Sequence, residues 1–263
     1  MSGSLWTAGT SRIPINCLIM SIFRQDTTVA KTLTGGARID RHRHAEHQVV
    51  YPSSGVAEVR TDAGSWIAPA DRAIWIPAGS WHEHHFYGPT RFHTVGFPRE
   101  LAPDWTSPAV LAALPLVREL IITCSTAQVL PDAELIRLRQ VLLDQLRRSP
   151  EQPLRLPAAR DERLRKACAL VESDLTEVWT LAGLGRRVGA GERTLTRLFR
   201  TEFAMTYPQW RTQLRLHHAV QLLAEQVPVT TVAYRCGWSS ASAFIEVYRR
   251  TLGHTPGASR GLK

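Results

Sequence analysis

The last hundred residues of the chain carry one pattern of apolar and polar positions twice. In the first copy, apolar side chains recur at helical spacing over residues 180–188 and again over 192–203, with a glycine-containing turn at 189–191 between them. In the second copy, the pattern covers residues 230–236 and 239–250, with Gly237 in the turn and Ser239 or Ser240 as the cap of the second helix. This repetition predicts two helix-turn-helix units, which are built to lay their second helix in a DNA major groove.

Residues 208–224 lie between the two units and predict one long helix. The apolar positions that would bury it are Trp210, Leu214, Ala219, Leu222 and Leu223. Such a helix would hold the two units at a set separation, as two successive grooves require.

The polar side of each second helix supplies the predicted DNA contacts. We expect base contacts in one groove from Arg193, Thr194, Thr196 and Arg197, and contacts in the next groove from Ser240, Ser242 and Glu246. We expect phosphate contacts, which position a protein without reading sequence, from Arg200, Arg249 and Arg250.

The segments 208–219, 232–244 and 253–256 agree at many spaced positions with one family. With Trp210, Gly237, Phe244 and Pro256 in place, this part of the chain resembles the AraC/XylS family of bacterial transcription regulators. The family pattern usually has a serine cap at Gly191, a glycine at Ala204 and an aromatic residue at position 259, which is serine here. These departures affect local stability rather than the groove-facing residues.

The first half of the chain has a different texture. Short alternating runs at 48–51, 56–60, 65–68, 73–76 and 91–95, separated by turn residues, predict a small antiparallel β-barrel. Residues 108–148 return to helical spacing, with apolar stripes that start at Val110 and at Leu135. Three prolines between Ser149 and Pro157 then predict a stiff linker.

These patterns predict an α+β chain of two domains. Residues 1–107 form a cupin-like sensor barrel, 108–148 a helical element, 149–160 the linker, and 161–263 an all-helical DNA-binding domain. The resemblance implies that the helical element makes a homodimer; the alternative is that both helices pack only on the barrel.

A cluster of histidines resembles the two cupin motifs. His42, His44, Gln48 and His82 have the spacing of that family's metal ligands, and three imidazoles with one oxygen suit a divalent transition metal. We expect His47, His84, His85 and His93 at the surface or rim, and Tyr51 and Trp81 at the mouth of an effector pocket. Three roles stay open for the barrel: a metal site, a metal-free small-molecule pocket, or an assembly platform.

Charge and cysteine content agree with a DNA-binding protein inside the cell. The net charge is +9, of which +6 lies in residues 161–263. Cys17, Cys124, Cys168 and Cys236 show no CxxC spacing and predict buried, reduced thiols. No segment reaches the ~20 apolar residues of a membrane helix, so we expect a cytoplasmic protein.

The sequence therefore favours a sequence-specific regulator of transcription that is not an enzyme. Its partners would be double-stranded DNA, a small effector or metal, and a second copy of the chain. The competing interpretation is a metal-dependent cupin enzyme of the dioxygenase type, for which Glu58 and Glu83 are the candidate acid or base residues. A third is a partner-binding domain joined to a degenerate DNA-binding module.

Overall fold

The computed structural model describes residues 28–102, 104–126 and 130–259. Cys17 lies outside these residues. In the described part, the first half of the chain forms one eight-stranded sheet in which every pairing is antiparallel. The strands are β1 (Val29–Leu33), β2 (Arg38–His42), β3 (His47–Thr61), β4 (Gly64–Pro69), β5 (Arg72–Ile76), β6 (His82–Phe97), β7 (Ala109–Ala112) and β8 (Arg155–Pro157).

The two long strands, β3 and β6, pair along most of their length and bend together. The bend falls where the register of β3 shifts between Pro52 and Val56, and where Gly88 of β6 has a φ of 65°. One leaf of the sheet contains β1, the second half of β6, the first half of β3, β5 and β7. The other leaf contains β2, the first half of β6, the second half of β3, β4 and β8.

The strands of the described part do not join in a closed ring, so the prediction of a barrel was too strong. The sheet is open and folded into two leaves. Alternating patterns along short segments cannot show closure, because closure depends on which distant strands pair.

Helices cover the outer face of the first leaf. They are α1 (Pro115–Thr126) and α2 (Asp132–Arg148). Their apolar stripes, which include Ile121 and Leu142, pack with Tyr51, Trp75 and Phe97 of the sheet. The prediction that helical structure begins at 108 was wrong, because residues 109–112 form β7 against β5 and bury Val110 in the sheet core.

The predicted linker also contributes to the sheet. Its β8 pairs with β4, and the Ile67 amide donates to the Leu154 carbonyl. Prolines suit this outer position because an edge strand has no ladder partner for the missing N–H. Gly64 permits the approach, since a Cβ there would lie 2.2 Å from the Leu156 carbonyl oxygen.

From residue 162 onward, the described part of the chain is helical apart from turns and short connections. The helices are α3 (Glu162–Ser173), α4 (Leu181–Val188), α5 (Glu192–Phe203), α6 (Tyr207–Ala224), α7 (Val229–Arg235), α8 (Ala241–Leu252) and α9 (Pro256–Ser259). The two predicted helix-turn-helix units, α4–α5 and α7–α8, and the connecting helix α6 are confirmed. Their ends are fixed locally: the side chains of Thr180, Thr206 and Ser240 cap α4, α6 and α8.

The two halves pack together through α6. Its Leu216, Ala219, Val220 and Leu223 join the same apolar core as the second leaf of the sheet. No helix in the described ranges is both long and apolar enough to cross a bilayer. The cysteine prediction is confirmed where it can be checked, since the described cysteines are buried and form no disulfide.

Candidate DNA interface and ligand site

The second helix of each unit presents a polar face to solvent. On α5, Arg193, Arg197 and Arg200 are exposed, whereas Thr194 and Thr196 are half-buried. The Thr196 hydroxyl donates to the Glu192 carbonyl at 2.9 Å, which ties it to its own helix. The three guanidinium groups are therefore the parts of α5 best able to reach DNA.

On α8, the exposed polar residues are Ser242, Glu246, Arg249 and Arg250. Ser240 differs from them because its hydroxyl accepts the Ala243 amide at 3.2 Å and caps the helix. Between the two units, the 18 residues of α6 span about 27 Å at 1.5 Å per residue. One rigid helix thus sets the spacing between the two exposed faces.

A cluster of imidazoles lies between the leaves of the sheet. His42 on β2 pairs directly with His82 on β6, and His84 follows two residues later on the same face of β6. The potential ligand atoms of His42, His82 and His84 all lie within 4.8 Å of one another. His82 and His84 are each 1% exposed.

Hydrogen bonds orient two of these rings. Nδ1 of His42 donates to the Asp40 carbonyl at 2.7 Å, and Nδ1 of His82 donates to the Ser80 carbonyl at 2.9 Å. In a neutral ring held in this way, Nε2 carries the lone pair, as in most metal-binding histidines. Nε2 of His82 and Nδ1 of His84 are buried and have no hydrogen-bond partner in the described part of the chain.

Burial keeps the imidazoles of His82 and His84 neutral near pH 7. For His82, it lowers the pKa to about 4, with further lowering from neighbouring His42 and His44. Burial, and then the nearby histidines, also lower the pKa of His84 well below its ordinary value. Neutral imidazole is the form that binds a metal ion.

Two predicted ligands lie at the side of this cluster. The His44 ring is centred 5.0 Å from that of His82 and 6.1 Å from that of His42, but His44 follows the end of β2. Gln48 is buried near the start of β3, and Nδ1 of His44 donates to the Glu46 carbonyl at 2.7 Å. The structure therefore brings all four predicted residues to one region, and adds His84 at its centre.

The expected surface position of four histidines was wrong. His47, His84, His85 and His93 are buried in the sheet. His85 contacts Glu83 at 3.0 Å, His93 contacts Ser53 at 2.9 Å, and His47 accepts the Ala78 amide at 3.0 Å. The spacing of two between His82 and His84, equal to that between His42 and His44, was the signal that could have identified His84.

The two predicted pocket residues lie apart. Tyr51 is fully buried on the outer face of the first leaf, where its hydroxyl donates to the Ala70 carbonyl at 2.8 Å, so its predicted place at the mouth was wrong. Trp81 is 41% exposed next to His82, and the guanidinium groups of Arg41 and Arg43 lie 5.6 Å and 4.8 Å from its ring centre. It lies beside a small cavity of about 120 Å³ that His82 also lines.

Comparison with known proteins agrees with this division of the chain. Residues 33–168 match the family model of an AraC-like ligand binding domain, and residues 184–261 match that of a helix-turn-helix domain. The HTH-type transcriptional regulator NimR of Escherichia coli K12 is 30% identical over 218 residues, which cover 82% of this chain and 80% of that protein.

Two further likenesses cover a smaller share of the chain. The virulence regulon transcriptional activator VirF of Yersinia enterocolitica is 33% identical over 104 residues, 39% of this chain and 37% of VirF. The crystal structure of an AraC-type transcriptional regulator from Chromobacterium violaceum is 29% identical with a TM-score of 0.36, and the match covers 38% of this chain and 89% of that one.

A paired helix-turn-helix domain behind a ligand-binding domain defines a class: a DNA-binding regulator of transcription that responds to a ligand. Because the ligand-binding model matches more than half of the chain, and a full-length regulator matches at 30% identity, the family follows. The chain belongs to the AraC family of transcriptional regulators.

Proposed function

We propose that this regulator senses a divalent transition metal ion through His42, His82 and His84, and reads DNA bases with Arg193, Arg197 and Glu246. The observation that supports the metal is a set of three mutually close imidazoles, of which those of His82 and His84 are buried. We expect the protein to act in the cytoplasm, where the DNA that a bacterial regulator binds is located.

The assignment of base contacts rests on exposure and position along α5. Arg193 and Arg197 lie one turn apart on the exposed face, while Arg200 lies nearer the C-terminal end of the helix. Since the N-terminal part of a recognition helix contacts base edges, the first two read bases and Arg200 contacts phosphate.

The matched pair Arg197→Ala and Arg200→Ala tests this division. We expect Arg197→Ala to weaken the preferred sequence by about 1–3 kcal/mol and to relax specificity at one position, while Arg200→Ala weakens all sequences alike. Binding should be measured on a duplex selected from a random pool and on its single-base variants. An equal loss on every duplex with Arg197→Ala would contradict base reading.

Burial of nitrogen atoms without hydrogen-bond partners costs free energy, and this cost favours a metal ion over an apolar organic ligand. A buried polar atom without a partner costs about 1–3 kcal/mol, and both His82 and His84 carry one. An ion held by these nitrogens would remove that cost at both atoms at once, whereas an apolar ligand would remove it at neither. Neutral imidazoles without thiolates suit Zn²⁺, Cu²⁺, Ni²⁺, Co²⁺ or Fe²⁺ better than Mg²⁺ or Ca²⁺.

Elemental mass spectrometry on protein purified without an affinity tag tests the metal site. We expect about one transition metal per chain, lost in His42→Ala, His82→Ala and His84→Ala. The matched control is His85→Ala, because His85 adjoins His84 on the same strand but faces the opposite side of the sheet. Equal loss from His85→Ala would assign the effect to damaged folding, and a metal-free wild type would overturn the proposal.

The enzyme alternative loses its candidate acid and base residues. Glu58 accepts hydrogen bonds from Arg60 and Tyr87, and Glu83 contacts His85, all on the sheet face opposite to the imidazole cluster. We therefore propose a sensor without catalytic activity, in agreement with relatives that are transcriptional regulators.

We also propose that the chain forms a homodimer through the exposed face of α2. This face carries, at spacings of three and four residues, Glu134, Arg137, Val141, Asp144 and Arg148. In an antiparallel pair centred on Val141, Glu134 meets the partner's Arg148 and Arg137 meets the partner's Asp144. The face is thus complementary to itself, as a twofold interface requires, and Val141 is 44% exposed.

A charge swap tests this dimer. Sedimentation should show that Arg148→Glu and Glu134→Arg each shift the protein toward monomer, because each places like charges opposite one another. The double variant should recover the dimer. Failure of the double variant to recover, with both single variants folded, would contradict the proposed pairing.

A further inference from the structure

Strand β6 carries two kinds of residues on its two faces. His82 and His84 point between the leaves, in the proposed metal site. Tyr87 points to the opposite face, where the side chain of Gln221 on α6 donates to its hydroxyl at 3.0 Å. Only two residues lie between His84 and Tyr87, so one short piece of strand joins the proposed ligand site to the DNA-binding half.

A buried carboxylate fixes Tyr87 on this face. Glu58 on β3 is 1% exposed, and Tyr87 donates to it at 2.6 Å. Arg60 donates to both oxygens of Glu58 at 3.0 Å. Burial alone would raise the pKa of Glu58, but His217, Arg60, Ser65 and Tyr87 together lower it to about 2, so the carboxylate is ionised at all working pH values.

Two residues of α6, His217 and Gln221, complete the contact between the sheet and the helical domain. Nε2 of His217 lies 3.6 Å from Glu58 and 3.1 Å from the Ser65 hydroxyl. Burial lowers the pKa of His217 to about 4, so near pH 7 it takes part as a neutral hydrogen-bonding group. We call Glu58, Tyr87, His217 and Gln221 the interdomain latch. Hydrogen bonds to an ion in such a dry site are strong and depend closely on distance.

The ligand site must contract when it is filled. Its nitrogen atoms lie up to 4.8 Å apart, whereas bonds of about 2.0–2.1 Å in a tetrahedral site require separations of about 3.3 Å. A shift of the first half of β6 toward β2 would bring His82 and His84 closer to His42, with which His82 pairs. Tyr87 belongs to that same half, so such a shift would also change its position relative to Glu58 and Gln221.

We propose that the interdomain latch couples metal binding between the leaves to DNA binding by the helix-turn-helix domain, with β6 as the moving part. This inference rests on the proposed metal site. By linkage, metal and DNA then change each other's affinity by the same factor, and a coupling of about 5–150-fold is typical.

The test compares DNA dissociation constants with and without saturating Zn²⁺, using the full chain and a duplex selected from a random pool. In the wild type the two constants should differ at least about fivefold. Tyr87→Phe removes only a hydroxyl, and Gln221→Ala removes its partner from the α6 side. We expect each to bring the ratio of the constants to about one while Zn²⁺ still binds.

The matched control is Asp71→Asn. Asp71 contacts His254 at 2.8 Å and so also joins the two halves, but from the turn before β5, which carries no proposed ligand. This variant should keep the wild-type ratio. Retained coupling in both latch variants, or equal loss in Asp71→Asn, would overturn the inference.

Two further outcomes separate this inference from the proposed function. If the wild type binds Zn²⁺ but the two DNA dissociation constants are equal, the metal site stands and the latch proposal fails. If the wild type binds none of the transition metals, both fail, and the metal analysis alone shows it.

Discussion

Replacement of His84 by leucine should have opposite effects on stability in the absence and presence of metal. The His84 ring is fully enclosed, with Phe92 centred 5.5 Å away and Phe86 6.2 Å away. Its Nδ1 has no hydrogen-bond partner among the described residues. Leucine has a similar volume and brings no polar atom into this apolar setting.

The expected magnitudes follow from these surroundings. Without metal, His84→Leu should raise the free energy of unfolding by about 1–3 kcal/mol, because it removes a buried, unsatisfied nitrogen. With metal at 100 times its dissociation constant, the wild type gains about 2.7 kcal/mol that the variant cannot gain. When metal is added, the wild type and His84→Leu should therefore become equally stable, or the wild type should become the more stable of the two.

Urea unfolding followed by circular dichroism, with EDTA and then with excess Zn²⁺, measures both effects. A lower stability of His84→Leu in EDTA would show that the imidazole makes a favourable contact in the protein itself. Equal stabilisation of wild type and variant by Zn²⁺ would show that His84 is not a ligand. Either result would refute the reasoning.

Three other predictions concern the helical domain and the contacts between the halves. Ala204 has a φ of 57° at the end of α5, a left-handed conformation that strains alanine but not glycine. Ala204→Gly should therefore raise the free energy of unfolding by about 1 kcal/mol in a urea titration, and a lower free energy of unfolding would contradict this reasoning. The pKa of Glu58 is lowered from 4.5 to about 2, so its contribution of about 3 kcal/mol is present above pH 4.5 and lost as pH falls toward 2. The stability difference between wild type and Glu58→Gln should shrink over that range, and a constant difference would disprove it. The hydrogen bond to Asp71 raises the pKa of His254 above 6.5, so this contact stabilises fully below pH 6.5 and weakens as pH rises through the raised pKa. The stability difference between wild type and His254→Asn should fall between pH 6 and 9, and a rise would contradict the assignment.

The helical half could be predicted from the sequence because local signals set its boundaries. Thr180 and Ser240 cap helices with their own hydroxyls, and Gly189 and Gly253 end helices in the left-handed conformation. Apolar stripes at helical spacing then fix which face is buried. None of these signals needs information from a distant part of the chain.

The sheet was harder because its long strands are buried on both faces. From His47 to Pro52, six successive residues of β3 are buried, so the alternation that marks a half-exposed strand is absent. The first half of β6 is rich in histidine and looks polar, although it lies in the core. Whether these strands close into a barrel depends on pairings between residues 23–50 positions apart along the chain.

The same physics explains why the composition of the histidine cluster was only partly predicted. Motif spacing identified His42, His44, Gln48 and His82, which do come together. It missed His84, although His84 lies two residues after His82 and therefore on the same face of β6. The sequence could not show that β2 pairs with β6 so that His42 lies opposite His82, and this register became visible only in the folded chain.

The histidine run of β6 shows why burial of these groups points to a ligand. His85 has Glu83 as a partner on one face, so its burial is compensated within the protein. His82 and His84, on the other face, bury nitrogen atoms that no described group contacts. Apolar residues at both positions would make a more stable sheet, so the chain carries a cost in stability that folding alone does not repay. A ligand that binds these nitrogens offsets that cost, and it does so on the strand whose opposite face contacts α6.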